Sequence, residues 1–295
     1  MKWIKIKDLI NEAEKNNITI SELIKKEQAK ELNTSIDEIY KKMKNAYNVM
    51  VKSIETGLKE KCELKIEQED GAKIYKKYVN EGKSIFGIKL GQAVAMALSV
   101  AEVNASMGKI VASPTAGSCG IIPAAIVSIK NIYDINEEKV IDSLFTAAAI
   151  GLIISNTMNV AGASGGCQAE CGVAQSMAAA AITDMLGGNN NQIANAVAIS
   201  LKNIEGLVCD PVAGLVECPC IKRNASGVIS AILAADMALA GIVSIIPVDE
   251  VIQAVKQIGD IMDDRLKETA MGGLAATETG KQAVSKIDKY AKIIY

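Results

Sequence analysis

Residues 169–186 read Ala-Glu-Cys-Gly-Val-Ala-Gln-Ser-Met-Ala-Ala-Ala-Ala-Ile-Thr-Asp-Met-Leu. Alanine gives up almost no side-chain freedom in a helix and has little to offer a strand, so the run Ala178–Ala181 favours helix. The same reading extends on both sides. Helices are predicted at 121–132, 137–155, 190–202, 225–243 and 248–262, and Leu90 to Met107 forms another, ended by Gly108. No run of alternating β-branched residues is long enough for a sheet, and no internal repeat is visible. The expected fold is all-α, with buried Ala- and Ile-rich helices joined by loops rich in Gly, Pro and Cys.

Charge divides the chain. Residues 1–89 carry 34 charged side chains, whereas 90–248 carry only 17 in 159 positions. The division predicts a charged helical region at 1–89 and a helical domain with a short tail at 90–295, forming one structural unit. In the front part, Ser21 opens one helical run. Ser35-Ile-Asp-Glu38 reads as a capping box before Ile39, Met43, Ala46, Tyr47 and Met50.

Composition excludes several chemistries. The chain has 295 residues, a net charge of −2 and no histidine. Ser–His and Cys–His catalysis, His-ligated zinc and an imidazole proton shuttle are therefore absent from this chain. The balanced charge gives no reason to expect nucleic acid or an anionic membrane as partner. Mean hydropathy is +0.21. Yet Ser226–Pro247 carries Asp236 at its middle and Leu144–Ile154 is too short to span, so buried core helices are expected rather than membrane spans. Basic residues at Met1-Lys-Trp-Ile-Lys-Ile-Lys7 have no apolar segment behind them, and the 7 cysteines then suit a reducing, cytoplasmic setting.

Three loops carry the chemistry. In Ala112-Ser-Pro-Thr-Ala-Gly-Ser-Cys-Gly120, Gly117 and Gly120 permit close backbone approach. Hydroxyls and the free N–H groups of the following helix can cradle a carboxylate or phosphate, or simply cap a turn. The second loop, Asn159 to Gly172, places Cys167 and Cys171 behind Gly165-Gly166. The third, Gly206 to Cys220, adds Cys209, Cys218 and Cys220. A single such cysteine is usually a small buried hydrophobe. Five thiols among loop glycines and prolines fit an iron–sulfur cluster better than zinc, which favours CxxC pairs. If Cys218-Pro-Cys220 is extended, its two thiols point the same way, so geometry leaves either as a ligand.

With these loops the sequence resembles the α chain of the iron–sulfur-dependent L-serine dehydratases (L-serine ammonia-lyases). The matching segments are Ser113-Pro-Thr-Ala-Gly117, Gly165-Gly-Cys-Gln-Ala-Glu-Cys-Gly172, Cys209-Asp-Pro-Val-Ala-Gly214 with Cys218-Pro-Cys220, and Glu268-Thr-Ala-Met-Gly-Gly-Leu-Ala-Ala-Thr277. The resemblance implies a [4Fe-4S] cluster on Cys167, Cys209 and Cys220, with one iron open to the serine hydroxyl and no pyridoxal phosphate. It implies deamination of L-serine to pyruvate and ammonia, a step of amino-acid catabolism. Ser113, Thr115, Ala116, Gly117 and Gly120 would bind the substrate. Related readings are an L-cysteine desulfidase and a non-catalytic iron–sulfur sensor chain.

The family also occurs as separate α and β chains, and this sequence matches only the α part, so a β-chain partner is expected. With no histidine, the base is a Lys, a carboxylate or a thiolate here, or a group on that partner. Lys109 is the nearest local candidate by sequence. The end, Lys292-Ile-Ile-Tyr295, lacks the terminal cysteine that single-chain members can carry.

Overall fold

The computed structural model describes residues 3–294, with side chains through Ser285 and at Ile287. Met1-Lys2 and the side chains of Lys292–Tyr295, where the two terminal readings fall, lie outside the described residues. Helices follow one another in the order α1 Ile6–Lys15, α2 Ile20–Glu31, α3 Ile36–Lys59, α4 Gly71–Asn80, α5 Gly87–Ala105, α6 Ile121–Tyr133 and α7 Glu137–Thr157. They continue with α8 Gly162–Gly165, α9 Cys167–Met185, α10 Asn190–Lys202, α11 Cys220–Leu239, α12 Val248–Ile261 and α13 Glu278–Ile294. Among the described residues there is no strand, only an isolated parallel bridge between Cys209 and Lys267. The fold is all-α, as the alanine runs predict.

Helix α9 is the axis. Every residue from Cys167 to Met185 is buried except Glu170, which is half-buried. A helix apolar on all faces must be enclosed on all faces, and α9 is packed by α7, α10 and α11 with α6 and α12 beside them. Small side chains make this possible: Ala178–Ala181 are all fully buried. The approach is so close that a Cβ on Gly151 of α7 would lie 2.7 Å from the Met177 sulfur. Around α9 the large fully buried residues are mostly isoleucines, among them Ile121, Ile126, Ile150, Ile154 and Ile182.

The charged front folds onto this core. α2 packs on α7, fastened by Lys25 Nζ to Asp142 at 2.7 Å, and α3 packs on α5. Asp249, in the first turn of α12, accepts the backbone N–H groups of Ile6 and Lys7 at 2.8 and 3.1 Å, capping α1 from across the molecule. The capping box read at Ser35 is made in its forward half, with Ser35 Oγ accepting the Glu38 N–H at 3.2 Å. Reciprocal boxes close at Thr19 with Glu22 and at Asn189 with Gln192.

The helices depart from the sequence reading at several ends, most at α11, which stops at Leu239 rather than 243. α11 begins at Cys220, five residues before the predicted start, because the turn at Cys218-Pro219 leads directly into the helix. And α7 is 21 residues long and apolar enough to cross a membrane by length and composition, although its Leu144–Ile154 segment alone is too short. Two thirds of its most apolar window (67%) is buried against the other helices, which accounts for its apolar sequence.

Candidate functional site

The site forms where the N-termini of α9 and α11 meet the loops 206–219 and 264–276. Gly166 has φ +78° and ψ 179°, a conformation open to glycine, and it turns the chain so that Cys167 becomes the first residue of α9. A Cβ at Gly166 would also strike the Met262 sulfur at 2.7 Å. Cys220 is likewise the first residue of α11. Both thiols therefore sit at the positive end of a long helix, where an anionic sulfur is favoured. Cys209 lies in the loop between α10 and α11, held by its N–H to Leu266 O at 2.9 Å and its carbonyl to the Glu268 N–H at 2.6 Å. The wall beside it is bare backbone, since a Cβ on Gly162 would come within 2.6 Å of Cys209 Sγ.

These three cysteines lie within electrostatic reach of one another. Cys171, one turn along α9, bonds to Cys167, and that bond holds the Cys167 thiol below its ordinary value and Cys171 well above it. Burial pushes the Cys209 thiol up, and pushes Cys220 up to about 12, with the Cys167 and Glu170 charges adding to it. Cys218 lies beside Glu67, to which it bonds. The pair is not extended, so Cys218 and Cys220 do not share a direction. Cys119 is fully buried against α5, its weak bond going to Val100 O at 3.9 Å, and Cys62 is buried beside Ser106 and Glu102.

Polar residues in the charge-poor middle fasten this layer. Arg223 donates to Val208 O and to Asp210 Oδ1, both at 2.9 Å, and also to the Cys167 sulfur. Asp210 Oδ2 accepts the Leu274 N–H at 2.8 Å, and the lack of a Cβ at Gly273 leaves room for that carboxylate. Asn224 ties α11 to the Ser113 loop: its Nδ2 donates to Gly117 O at 2.7 Å and, within α11, to Cys220 O at 2.9 Å, and its Oδ1 accepts the Gly120 N–H at 2.8 Å. Glu217, next to Cys218, accepts the N–H groups of Lys65, Ile66 and Glu67 at 2.8–3.1 Å.

The loop Ser113–Gly120 lies against this layer through Glu170. The Glu170 carboxylate accepts the Thr115 hydroxyl and the Gly117 N–H, and a Cβ on Gly117 would fall 2.5 Å from it. Burial raises the Glu170 carboxyl above its ordinary value, opposed by the Thr115 bond. The Thr115 and Ser118 hydroxyls are 3.1 Å apart. The Gly117 and Gly120 N–H groups are thus bonded within the protein. The buried Ser113 hydroxyl has no partner at all. Lys109 is exposed, in the link between α5 and this loop.

Sequence reasoning brought Cys167, Cys209 and Cys220 and the Ser113 loop to one place, but it passed over Glu170, Arg223, Asn224 and Asp210. Their signal was there. Each is a strongly polar residue in a segment nearly free of charge, where burial demands a partner.

The donor set suits a cluster of iron and sulfide. It offers three soft thiols from three separate segments, two at helix N-termini, with glycine walls around them. Among the described residues no three His, Cys, Asp or Glu side chains close on a single ion. A cluster takes each thiolate on a different iron and needs no such point.

Comparison with known proteins identifies the family. A family model described as the serine dehydratase alpha chain matches residues 15–275. The L-serine dehydratase alpha chain of Peptoniphilus asaccharolyticus is 46% identical over 94% of this chain and 95% of its own length. A probable L-serine dehydratase alpha chain of Bacillus subtilis is 45% identical over 96% and 94%. An L-serine dehydratase of Streptomyces coelicolor is 37% identical over 81% of this chain but only 53% of its own length. A match of this extent, running through all three cysteine-bearing segments and the Ser113 loop, places the chain in the serine dehydratase alpha-chain family.

Proposed function

We propose that this chain is the α subunit of a cytoplasmic, [4Fe-4S]-dependent L-serine dehydratase that deaminates L-serine to pyruvate and ammonia. The observation that carries the reading is the meeting of Cys167, Cys209 and Cys220 beside a loop in which the buried Ser113 hydroxyl is unbonded. A cluster held by these three thiolates, with one iron free of protein ligand, would supply a Lewis acid for the serine hydroxyl, a poor leaving group at neutral pH.

The chain's own residues do the rest. In the protein alone, burial keeps the Cys209 and Cys220 thiols protonated, so binding a cluster would release their protons. Ser113 donates its free hydroxyl to the substrate carboxylate. Thr115, Ala116, Gly117 and Gly120 give the loop its shape, with Glu170 and Asn224 holding it in place. Arg223 binds Cys167 and Asp210 and so fixes the cysteine loop while adding positive charge behind it. The exposed Lys109 is poorly placed as a base, because a lysine base needs a buried environment to lower its pKa. A β chain supplies the base or completes the site.

Anaerobic reconstitution with iron and sulfide, followed by assay with L-serine and L-cysteine, tests the reading. Pyruvate from L-serine that requires a β chain supports it. Sulfide release from L-cysteine alone would indicate a desulfidase, and a cluster without turnover of either, partner present, would indicate a sensor. Full turnover by the α chain alone would refute the role given to the partner.

A further inference from the structure

We propose that the cavity between α4, α5 and the start of α11 is a binding site for a small organic monocation, a primary ammonium carried on a short apolar body. The cavity has a volume of about 360 Å³ and lies behind the cysteine layer, outside the site described above. Ile74, Leu98 and Ile221 give it apolar walls. Tyr75 and Tyr78 add two rings, 6.2 Å apart and tilted by 43°, whose faces attract cations.

Its charge is unbalanced. Lys222 and Glu67 at the rim neutralise each other as an ion pair. Glu102 in the wall is only 1% exposed. One carboxylate oxygen accepts the Ala72 N–H at 2.8 Å and the other has no partner. The nearest cation, Lys73, is engaged by Asp70 at 2.5 Å and by Glu60 O at 2.8 Å. A carboxyl without its own cation, among apolar and aromatic walls, matches an amine with a hydrocarbon tail and disfavours an anion.

Burial of the carboxyl also gives the binding a pH dependence. The charged and titratable groups around Glu102 are Glu67, Asp70, Lys73 and Cys62, with Lys222 at the rim. Burial holds Glu102 up to about 7, so the carboxyl must give up its proton to receive an ammonium. Affinity for such a ligand should rise about tenfold between pH 6 and pH 8.

The experiment is ligand-observed NMR on the full chain with n-butylammonium, and with pentanoate as the anionic analogue. Butylammonium should bind at millimolar strength. Glu102→Gln should weaken it at least tenfold, and Leu98→Trp, which fills the cavity and leaves the carboxyl in place, should abolish it. Circular dichroism checks that both variants are folded; if Glu102→Gln does not fold, Leu98→Trp decides. Equal binding to wild type and Leu98→Trp, equal or better binding of pentanoate, or no binding of butylammonium up to about 20 mM would overturn the proposal.

Discussion

The helices around α9 and the cysteine layer at its N-terminus are both buried, but they are held in different ways. The first is packed from many interchangeable alanines and isoleucines, each contributing a little dispersion and apolar burial. The second is held by single polar side chains that bond backbone groups of other segments: Asn224 to the loop at Gly117–Gly120, Asp210 to Leu274, Glu217 to Lys65–Glu67, and Gln168, which spans Val255 O at 3.0 Å and the Gly206 N–H at 2.9 Å. Packing tolerates loss because neighbours relax. A polar fastener does not, since its removal strands several buried donors and acceptors at once. The core can therefore vary where the site cannot.

The largest effect should come from Asn224, whose side chain both donates to and accepts from the loop at Gly117–Gly120. Asn224→Ala leaves the Gly120 N–H and the Gly117 carbonyl unpaired in the interior, and should cost on the order of 3–5 kcal/mol in urea unfolding. A loss below about 1 kcal/mol would remove the distinction between the two regions. Asn224→Asp, which keeps an acceptor for Gly120 but no donor, should fall between.

Glu102 gives the next effect, and its sign is fixed. Burial raises its carboxyl from 4.5 to about 7, so the folded state holds the proton more tightly than the unfolded state. Its contribution is most favourable below pH 4.5 and declines as the pH rises to about 7, by up to about 3 kcal/mol. Glu102→Gln should remove that decline, so the stability difference should move in favour of the variant between pH 5 and pH 7 and then level off. A flat difference would show that Glu102 is solvated.

In the packed core, Ala180→Val adds two methyl groups where no space exists. It should cost about 1–3 kcal/mol while leaving cluster assembly intact. Loss of assembly in a variant that still folds would mean that core and site are one mechanical unit. The smallest effect should be at Thr115. Thr115→Val removes its bond to Glu170 and should change stability by about 1 kcal/mol or less, while raising the apparent KM for serine with the cluster spectrum unchanged.

The same contrast explains what could be read from the sequence. Helix-forming runs announced α5, α6, α7, α9, α10 and α12 because propensity and apolar content agree over many residues. The start of α11 was hidden, since Cys218-Pro219-Cys220 suggests an extended loop until the turn before Cys220 is seen. The cysteines and the Ser113 loop were legible through their glycines, prolines and order along the chain. Glu170 and Asn224 stand out as polar residues in a charge-poor stretch, but their partners were not legible, because those lie at distances in sequence that no local pattern encodes: 55 residues from Thr115 to Glu170 and 107 from Gly117 to Asn224.

The central claim is that three cysteines, and no others, hold the cluster. It is tested most directly by single Cys→Ser changes followed by cluster absorption and iron content after anaerobic reconstitution. Changes at Cys167, Cys209 and Cys220 should each abolish both signals. Changes at Cys62, Cys119, Cys171 and Cys218 should leave most of them in place. Loss of the cluster in Cys218→Ser with retention in Cys220→Ser would contradict the assignment at the head of α11, and full retention in all seven variants would contradict the cluster itself.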